Sequence, residues 1–321
     1  MIKSNKQTHY KSLILLSVLL LISMVIYQFI NVNIKYFDFA MGIRSPKLVV
    51  MIIAAFCIGS ASIVFQSLIN NTIVTPCLLG MNGLYILIHT STVFVLGSTS
   101  FLVSNRLTSF ALDMAIMGVA AVLIYGVLFK KTKGNVLYIL LAGSVLTTLF
   151  SSITTTMQRV MDPNEFETLQ NALIASFNKV NSEIIIIALV AIVLIIFFLR
   201  KELKLLDVIT LGKDQAINLG VDYDKTMHRL MIGVTLFIAI ATAMVGPISF
   251  LGLMIANLGR QLFKTYKHSY LIIGTSLIGM IVLLVGQTLI EQVFSFSANI
   301  SAFINIGGGT YFLYLILRNR S

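Results

Sequence analysis

The side chains best placed for chemistry in this chain are polar groups set inside apolar runs, since each must there be matched by a partner or put to use. Five of them, Ser144, Thr148, Ser151, Thr155 and Gln158, recur at alternating steps of four and three residues. At about 100° per residue they fall on one narrow helix face. Such a stripe suits a water-lined pathway for a polar cargo. The alternative is hydroxyls that bond back to their own helix carbonyls, which requires no pore. Asp113 is the one acid inside a clear apolar span. It is a candidate for a proton relay, while Arg106, seven positions earlier, is a candidate partner that would make it structural.

Other acids, bases and nucleophiles are scattered. His9, His89, His228 and His268 stand apart from one another and from Cys57 and Cys77, so no metal-ligand spacing and no disulfide framework arises. No G-x-x-x-x-G-K-[ST] segment occurs, so the chain does not hold ATP itself. No Ser-His-Asp set or carboxylate pair stands out. We therefore expect no enzyme in this chain alone and no resident cofactor.

The elements that must position these groups follow from composition. Of 321 residues, 57% are hydrophobic and 11% charged, where a soluble domain would carry about a quarter charged. The solvent is membrane lipid, and a net charge of +11 signals loop placement rather than nucleic acid. Apolar spans near 13–31, 48–66, 78–96, 107–129, 136–157, 182–199, 230–247, 249–264, 270–290 and 302–317 predict an all-α, polytopic protein with about ten transmembrane helices. Ten crossings put both termini on one side. Of 23 Lys and Arg, only Lys35, Arg44, Lys47, Arg106, Arg159 and Lys179 fall in the alternate loops, so the excess predicts that both termini are cytosolic. Lys3, Lys6 and Lys11 before Leu13–Ile30 resemble the start of a secretory signal, but the apolar stretch is too long for a signal core. We read it as a retained first helix of one transmembrane domain spanning 1–321.

The stretch from about 201 to 229 is the wettest between spans and is expected to be a cytosolic loop. It mixes charges of both signs with apolar Leu211, Ala216, Ile217 and Leu219 at helical spacing. A solvated face explains the charges but not the apolar set, which has to be buried against something. Gly212 and Gly220 bracket this short helix.

At these residues the chain resembles the FecCD-type permeases, membrane subunits of ATP-binding-cassette importers for ferric siderophores, haem and cobalamin. The family pattern L-G-x-x-x-A-x-x-L-G-v is matched by Leu211, Gly212, Ala216, Leu219, Gly220 and Val221. The pattern G-x-I-x-F-x-G-L-x-x-P-H-x-x-R is matched by Gly246, Ile248, Phe250, Gly252, Leu253 and Arg260, with Ala256-Asn257 in place of Pro-His. Further matches are Arg44, Pro46 and Lys47 to R-x-P-R, Leu140 to Gly143 to L-L-A-G, and Gly59, Gln66, Asn71, Pro76, Leu79, Gly80 and Gly83 around the second span.

The resemblance implies a type II importer permease fold of the iron-siderophore branch, in a bacterial cytoplasmic membrane. It implies that Leu211, Gly212, Lys213, Asp214, Gln215, Ala216, Leu219 and Gly220 engage one of two ATP-binding subunits, which hold ATP and Mg. It implies that Arg44 and Lys47 receive carboxylates from an extracytoplasmic substrate-binding protein, the alternative being snorkelling at a helix end. Gln66 and Asn71 become gate residues beside the stripe, although Asn71 could also cap a helix end in water. Glu291 stands near a position where relatives often keep Arg, Gly286-Gln287 replaces Ala-Asp, and Ser297 to Ser301 replaces E-L-P-x-G. These departures point to pairing with a second, different permease subunit. An ion-coupled secondary transporter is the alternative from another class; it would favour midplane carboxylates and related halves.

Overall fold

The computed structural model describes residues 2–132, 136–177, 182–294 and 299–318; Lys179 and the Ser297-Ala298 pair lie outside the described residues. Among the described residues every long element is a helix: α1 (Ile2–Phe29), α2 (Phe37–Ile69), α3 (Met81–Leu96), α4 (Phe101–Ser104), α5 (Arg106–Thr132), α6 (Val136–Val160), α7 (Pro163–Leu173), α8 (Ser182–Ile209), α9 (Lys213–Asn218), α10 (Tyr223–Val245), α11 (Leu251–Leu262), α12 (His268–Gln292) and α13 (Ile300–Arg318). α1, α2, α5, α6, α8, α10 and α12 are long and apolar enough to cross a bilayer, and α3 and α13 are shorter apolar helices.

Helices stand at all ten places where crossings were expected, but the one expected over 249–264 differs. α11 has only 12 residues, about 18 Å of rise against roughly 30 Å of hydrocarbon. The cause is local. Gly246 sits at φ 96, ψ 175, a region open essentially to glycine alone, and Pro247 brings no N–H to continue a helix. The chain therefore leaves α10 at Val245 and runs non-helical to Phe250. Non-helical backbone at such depth persists only under cover of protein; here Asn82 of α3 donates to Ser249 Oγ at 3.1 Å.

α2 is the axle of the bundle. Most of its side chains from Val50 to Ile69 are buried, and it packs against α8, α10, α11 and α12. Small residues set the close approach: a Cβ at Gly252 would collide with Ser62 on α2, and one at Gly259 with Thr275 on α12. α1, α5, α6 and α8 form an outer ring that leaves Leu15, Val119, Leu149 and Val193 exposed, as suits a surface whose solvent is lipid.

Two helices run beyond their expected ends. α2 begins at Phe37 rather than at 48, with Asp38 in its first turn and favourable to the helix dipole there. α8 continues past Leu199 to Ile209, because Lys, Glu and Leu keep helix propensity high and Glu202 meets Arg229 of α10 at 2.5 Å. The expected loop over 201–229 is thus mostly helical extension.

Contacts fix which ends share a side. At one end His9 of α1 lies against Phe263 and Tyr270, His268 meets Asp207 near the end of α8, and Gln261 meets Tyr311 of α13. The start of α1, the last part of α13 and α9 therefore share one end of the bundle, as the even number of expected crossings required. At the opposite end Tyr27, Lys47 and Glu291 converge.

Candidate functional site

α9 is a six-residue helix held like a bracket at the end of the bundle. Gly212 (φ 101) and Gly220 (φ 80) flank it. At its close the Val221 and Gly220 amides donate to the Ala216 and Ile217 carbonyls at 3.0 and 2.9 Å, a glycine-dependent stop. Ala216 is fully buried on the bundle, while Leu211, Ile217 and Leu219 are 52%, 51% and 62% exposed. Lys213 Nζ spans to both Asp224 oxygens at 2.9 and 3.0 Å. That hydrogen bond raises the Lys213 ammonium above its ordinary value; the pair is solvent-exposed and contributes little to stability. Asp214 and Gln215 lie on the exposed face with the apolar side chains. This end of the molecule presents a partly apolar knob.

The stripe lies on α6, where Ser144, Thr148, Ser151 and Thr155 are exposed and Gln158 is half-buried. A shallow groove of about 480 Å³ runs along Thr147, Thr148, Ser151, Ser152, Thr155, Thr156 and Arg159. Its polar face is broader than the sequence spacing indicated, with Ser144 and Gln158 outside it. Hydroxyl protons do turn back: Ser144 donates to Leu141 O, Thr148 to Ser144 O and Thr155 to Ser151 O at 2.8 to 3.0 Å. The two sequence alternatives are therefore not exclusive, because a back-bonded hydroxyl still turns oxygen lone pairs outward. The groove wall is rich in acceptors, with one cation at its end.

Gln66 and Asn71 hold a turn and do not line this groove. Asn70 adopts a left-handed conformation (φ 53, ψ 41) that ends α2, and Asn71 Oδ1 accepts from Ile73 N at 2.8 Å. Buried Gln66 donates from Nε2 to Thr72 O at 2.7 Å, and Asn257 Nδ2 donates to the same carbonyl at 2.9 Å. Arg260 Nε reaches Gln66 Oε1 at 3.2 Å and its Nη2 reaches Ser67 Oγ at 2.8 Å. Ser67 Oγ lies 2.9 Å from His268 Nε2, whose Nδ1 lies 2.6 Å from Asp207 Oδ1.

Ser67, His268 and Asp207 thus form the Ser-His-Asp constellation that the sequence did not reveal. It has the distances of a catalytic triad but not the setting. Ser67 is 8% exposed and its oxygen already accepts from Arg260, so it is engaged within the bundle rather than offered to a substrate. The only signal available in sequence was one polar residue near the end of each of several apolar helices.

At the opposite end, Arg44 Nη1 donates to the carbonyls of Tyr27, Gln28 and Ile30 at 2.8 to 3.2 Å. It caps the last turn of α1, whose carbonyls lack helical partners. Lys47 lies 3.7 Å from Glu291 Oε1, both side chains nearly buried. Glu291 also receives Tyr27 Oη and Gln287 Nε2 at 3.3 and 2.8 Å. The departure at Glu291 therefore gives Lys47 a partner within the chain.

Asp113 finds its partner in His89 of α3, Oδ2 to Nδ1 2.7 Å, both buried. Arg106, the expected partner, lines the same cavity of about 280 Å³ together with Tyr85, Ser109 and Asn171.

The chain is similar to known proteins over nearly its whole length. The model of the "FecCD transport family" matches residues 8–318. The chain is 38% identical over 290 residues to the petrobactin import system permease protein YclO of Bacillus subtilis, covering 90% of this chain and 92% of that one. It is 34% identical over 278 residues to the petrobactin import system permease protein FatC of Bacillus anthracis, covering 87% and 78%. A solved inward-facing conformation of a metal-chelate type ABC transporter superposes with a TM-score of 0.80 at 22% identity, covering 96% of this chain and 99% of that one.

Proposed function

The chain belongs to the FecCD transport family, and from that membership we propose that it forms, with a second permease subunit of different sequence, the transmembrane pathway for a ferric siderophore. It is the permease subunit of an ATP-binding-cassette importer. The observation that carries the proposal is the segment around α9, where Leu211, Ile217 and Leu219 stay exposed outside the apolar spans. Apolar area of that kind needs a partner, and two ATP-binding subunits, which would hold ATP and Mg, supply the grooves. The end bearing α9 and both termini is then cytosolic, in keeping with its excess of Lys and Arg.

The cargo assignment rests on two relatives named for petrobactin import and on an acceptor-rich groove along Thr148, Ser151 and Thr155. Cargo arrives from an extracytoplasmic binding protein at the opposite end. Arg44 caps α1 through Nη1 and has further N–H groups to offer a carboxylate, whereas Lys47 must first leave Glu291. The non-family Glu291 supports heterologous rather than self pairing. One unit over 1–321 carries all these parts.

The test is uptake of radioactive ferric petrobactin into iron-starved host cells. Uptake should require the ATP-binding subunits, persist under a protonophore while ATP is maintained, and resist competition by haem or cobalamin. Uptake by this chain alone would overturn the reading in favour of an ion-coupled carrier, for which the buried His89–Asp113 pair is the structural argument. ATP-dependent uptake of haem or cobalamin instead would keep the importer and refute the cargo.

A further inference from the structure

The turn joining α2 to α3 carries non-helical backbone over residues 70–75. Its Thr72 carbonyl has two donors, and both are side chains buried in the bundle, Gln66 at 1% and Asn257 at 7% exposure. The conformation of the turn is therefore written by side chains and not by a backbone ladder. Gln66 can present its amide nitrogen to Thr72 only while its oxygen faces the other way, and Arg260 Nε occupies that oxygen.

One assignment of protons satisfies the whole set. Asp207 Oδ1 accepts from the His268 backbone N–H at 2.9 Å and from its Nδ1–H at 2.6 Å. The His268 Nε2 lone pair then accepts the Ser67 hydroxyl at 2.9 Å. Ser67 Oγ accepts from Arg260 Nη2, and Arg260 Nε donates to Gln66 Oε1. Each of these contacts then has one donor and one acceptor, and the chain passes through α8, α12, α2 and α11 before ending on the α2–α3 turn. Gln66, Ser67 and His268 at the middle of this network are buried while Asp207 and Arg260 are partly exposed, so a missing link at the middle strands a buried polar group. The network transmits discrete rearrangements better than graded ones.

Its other end lies beside α9. Asp207 stands in the last turn of α8, its own carbonyl accepting from Thr210 Oγ1 at 3.1 Å, and α9 starts at Lys213. We propose that Asp207, His268, Ser67, Arg260 and Gln66 are positioning residues that relay displacement of α9 to the α2–α3 turn. The relay rests on the importer reading, since it needs a partner that moves α9.

The experiment uses the complete transporter in membranes with Thr72→Cys as reporter. Thr72 is exposed, its carbonyl is retained by the substitution, and the native Cys57 and Cys77 are buried. An aqueous maleimide is applied with and without nucleotide trapping of the ATPase, and co-purification of the ATP-binding subunit is scored on the same samples. With the relay intact, trapping should change the labelling rate about tenfold. Ser67→Ala should reduce that change to less than about twofold while the complex is retained, and Ser67→Thr, which keeps the hydroxyl, should restore it. His268→Asn repeats the test at the next link. A full response in Ser67→Ala and His268→Asn, or no response in the otherwise unaltered chain, overturns the relay alone. Failure of the unaltered chain to hold the ATP-binding subunit overturns the importer reading and the relay with it.

Discussion

Replacing Leu219 by Asp separates docking from folding. In the chain by itself Leu219 is 62% exposed, so a substitution there should leave its own stability within about 1 kcal/mol. A carboxylate at the end of α9 opposes the helix dipole by about 0.3–1 kcal/mol, screened by salt. In the complex the account differs. Full burial of a leucine is worth about 1.5–3 kcal/mol, and the exposed share of Leu219 leaves roughly 1–2 kcal/mol of that for an interface. Leu219→Ala should therefore weaken ATPase binding about tenfold. Leu219→Asp loses the same burial and adds about 1–3 kcal/mol for a carboxylate desolvated without a donor. The sum, roughly 2–5 kcal/mol, corresponds to a thirty-fold to several-thousand-fold weaker complex. The assay is binding of the purified ATP-binding subunit to the permease in nanodiscs, beside a thermal melt of the permease alone. Binding of Leu219→Asp within about threefold of the unaltered chain would refute the reasoning, and so would a melt lowered by several degrees, which would mean that the side chain packs inside its own bundle.

Two glycines should respond to alanine with opposite signs. Gly246→Ala forces a Cβ to within 2.9 Å of the Ala175 backbone at φ 96, so strain and overpacking together should cost about 2–6 kcal/mol, whereas Gly309→Ala, with nothing within 4 Å, should be neutral or gain up to about 1 kcal/mol in helix propensity; melting midpoints that fail to separate would sink the argument. On α6, Ser151→Cys should react with a small aqueous thiol reagent in the assembled complex, and protection in every nucleotide state would show that the hydroxyl groove faces lipid or a packed interface.

What could be read from the sequence alone was whatever local pattern encodes. The lengths of apolar runs placed helices at ten positions, because backbone groups in hydrocarbon have few other solutions. Gly212 and Gly220 with apolar residues between them marked α9, since caps and amphipathic spacing act within a few residues. The half-length of α11 was less legible. Residues 249–264 carry glycines and polar breaks, among them Gly252, Asn257 and Arg260, that blur the ends of a span, and only the conformation of Gly246 and the cover supplied by Asn82 made a non-helical entry stable.

The polar partnerships were decided by tertiary structure. Ser67 and His268 lie 201 positions apart, and Lys47 pairs with Glu291 from the far end of the chain. Asp113 met His89 on a neighbouring helix rather than following the i to i+7 spacing that pointed to Arg106. The physical reason is that helices in lipid share one apolar pattern, which says that each crosses but little about its rotation or its neighbour. Those two quantities determine which polar groups meet, and they are fixed only when the small faces of α2, α11 and α12 lock together.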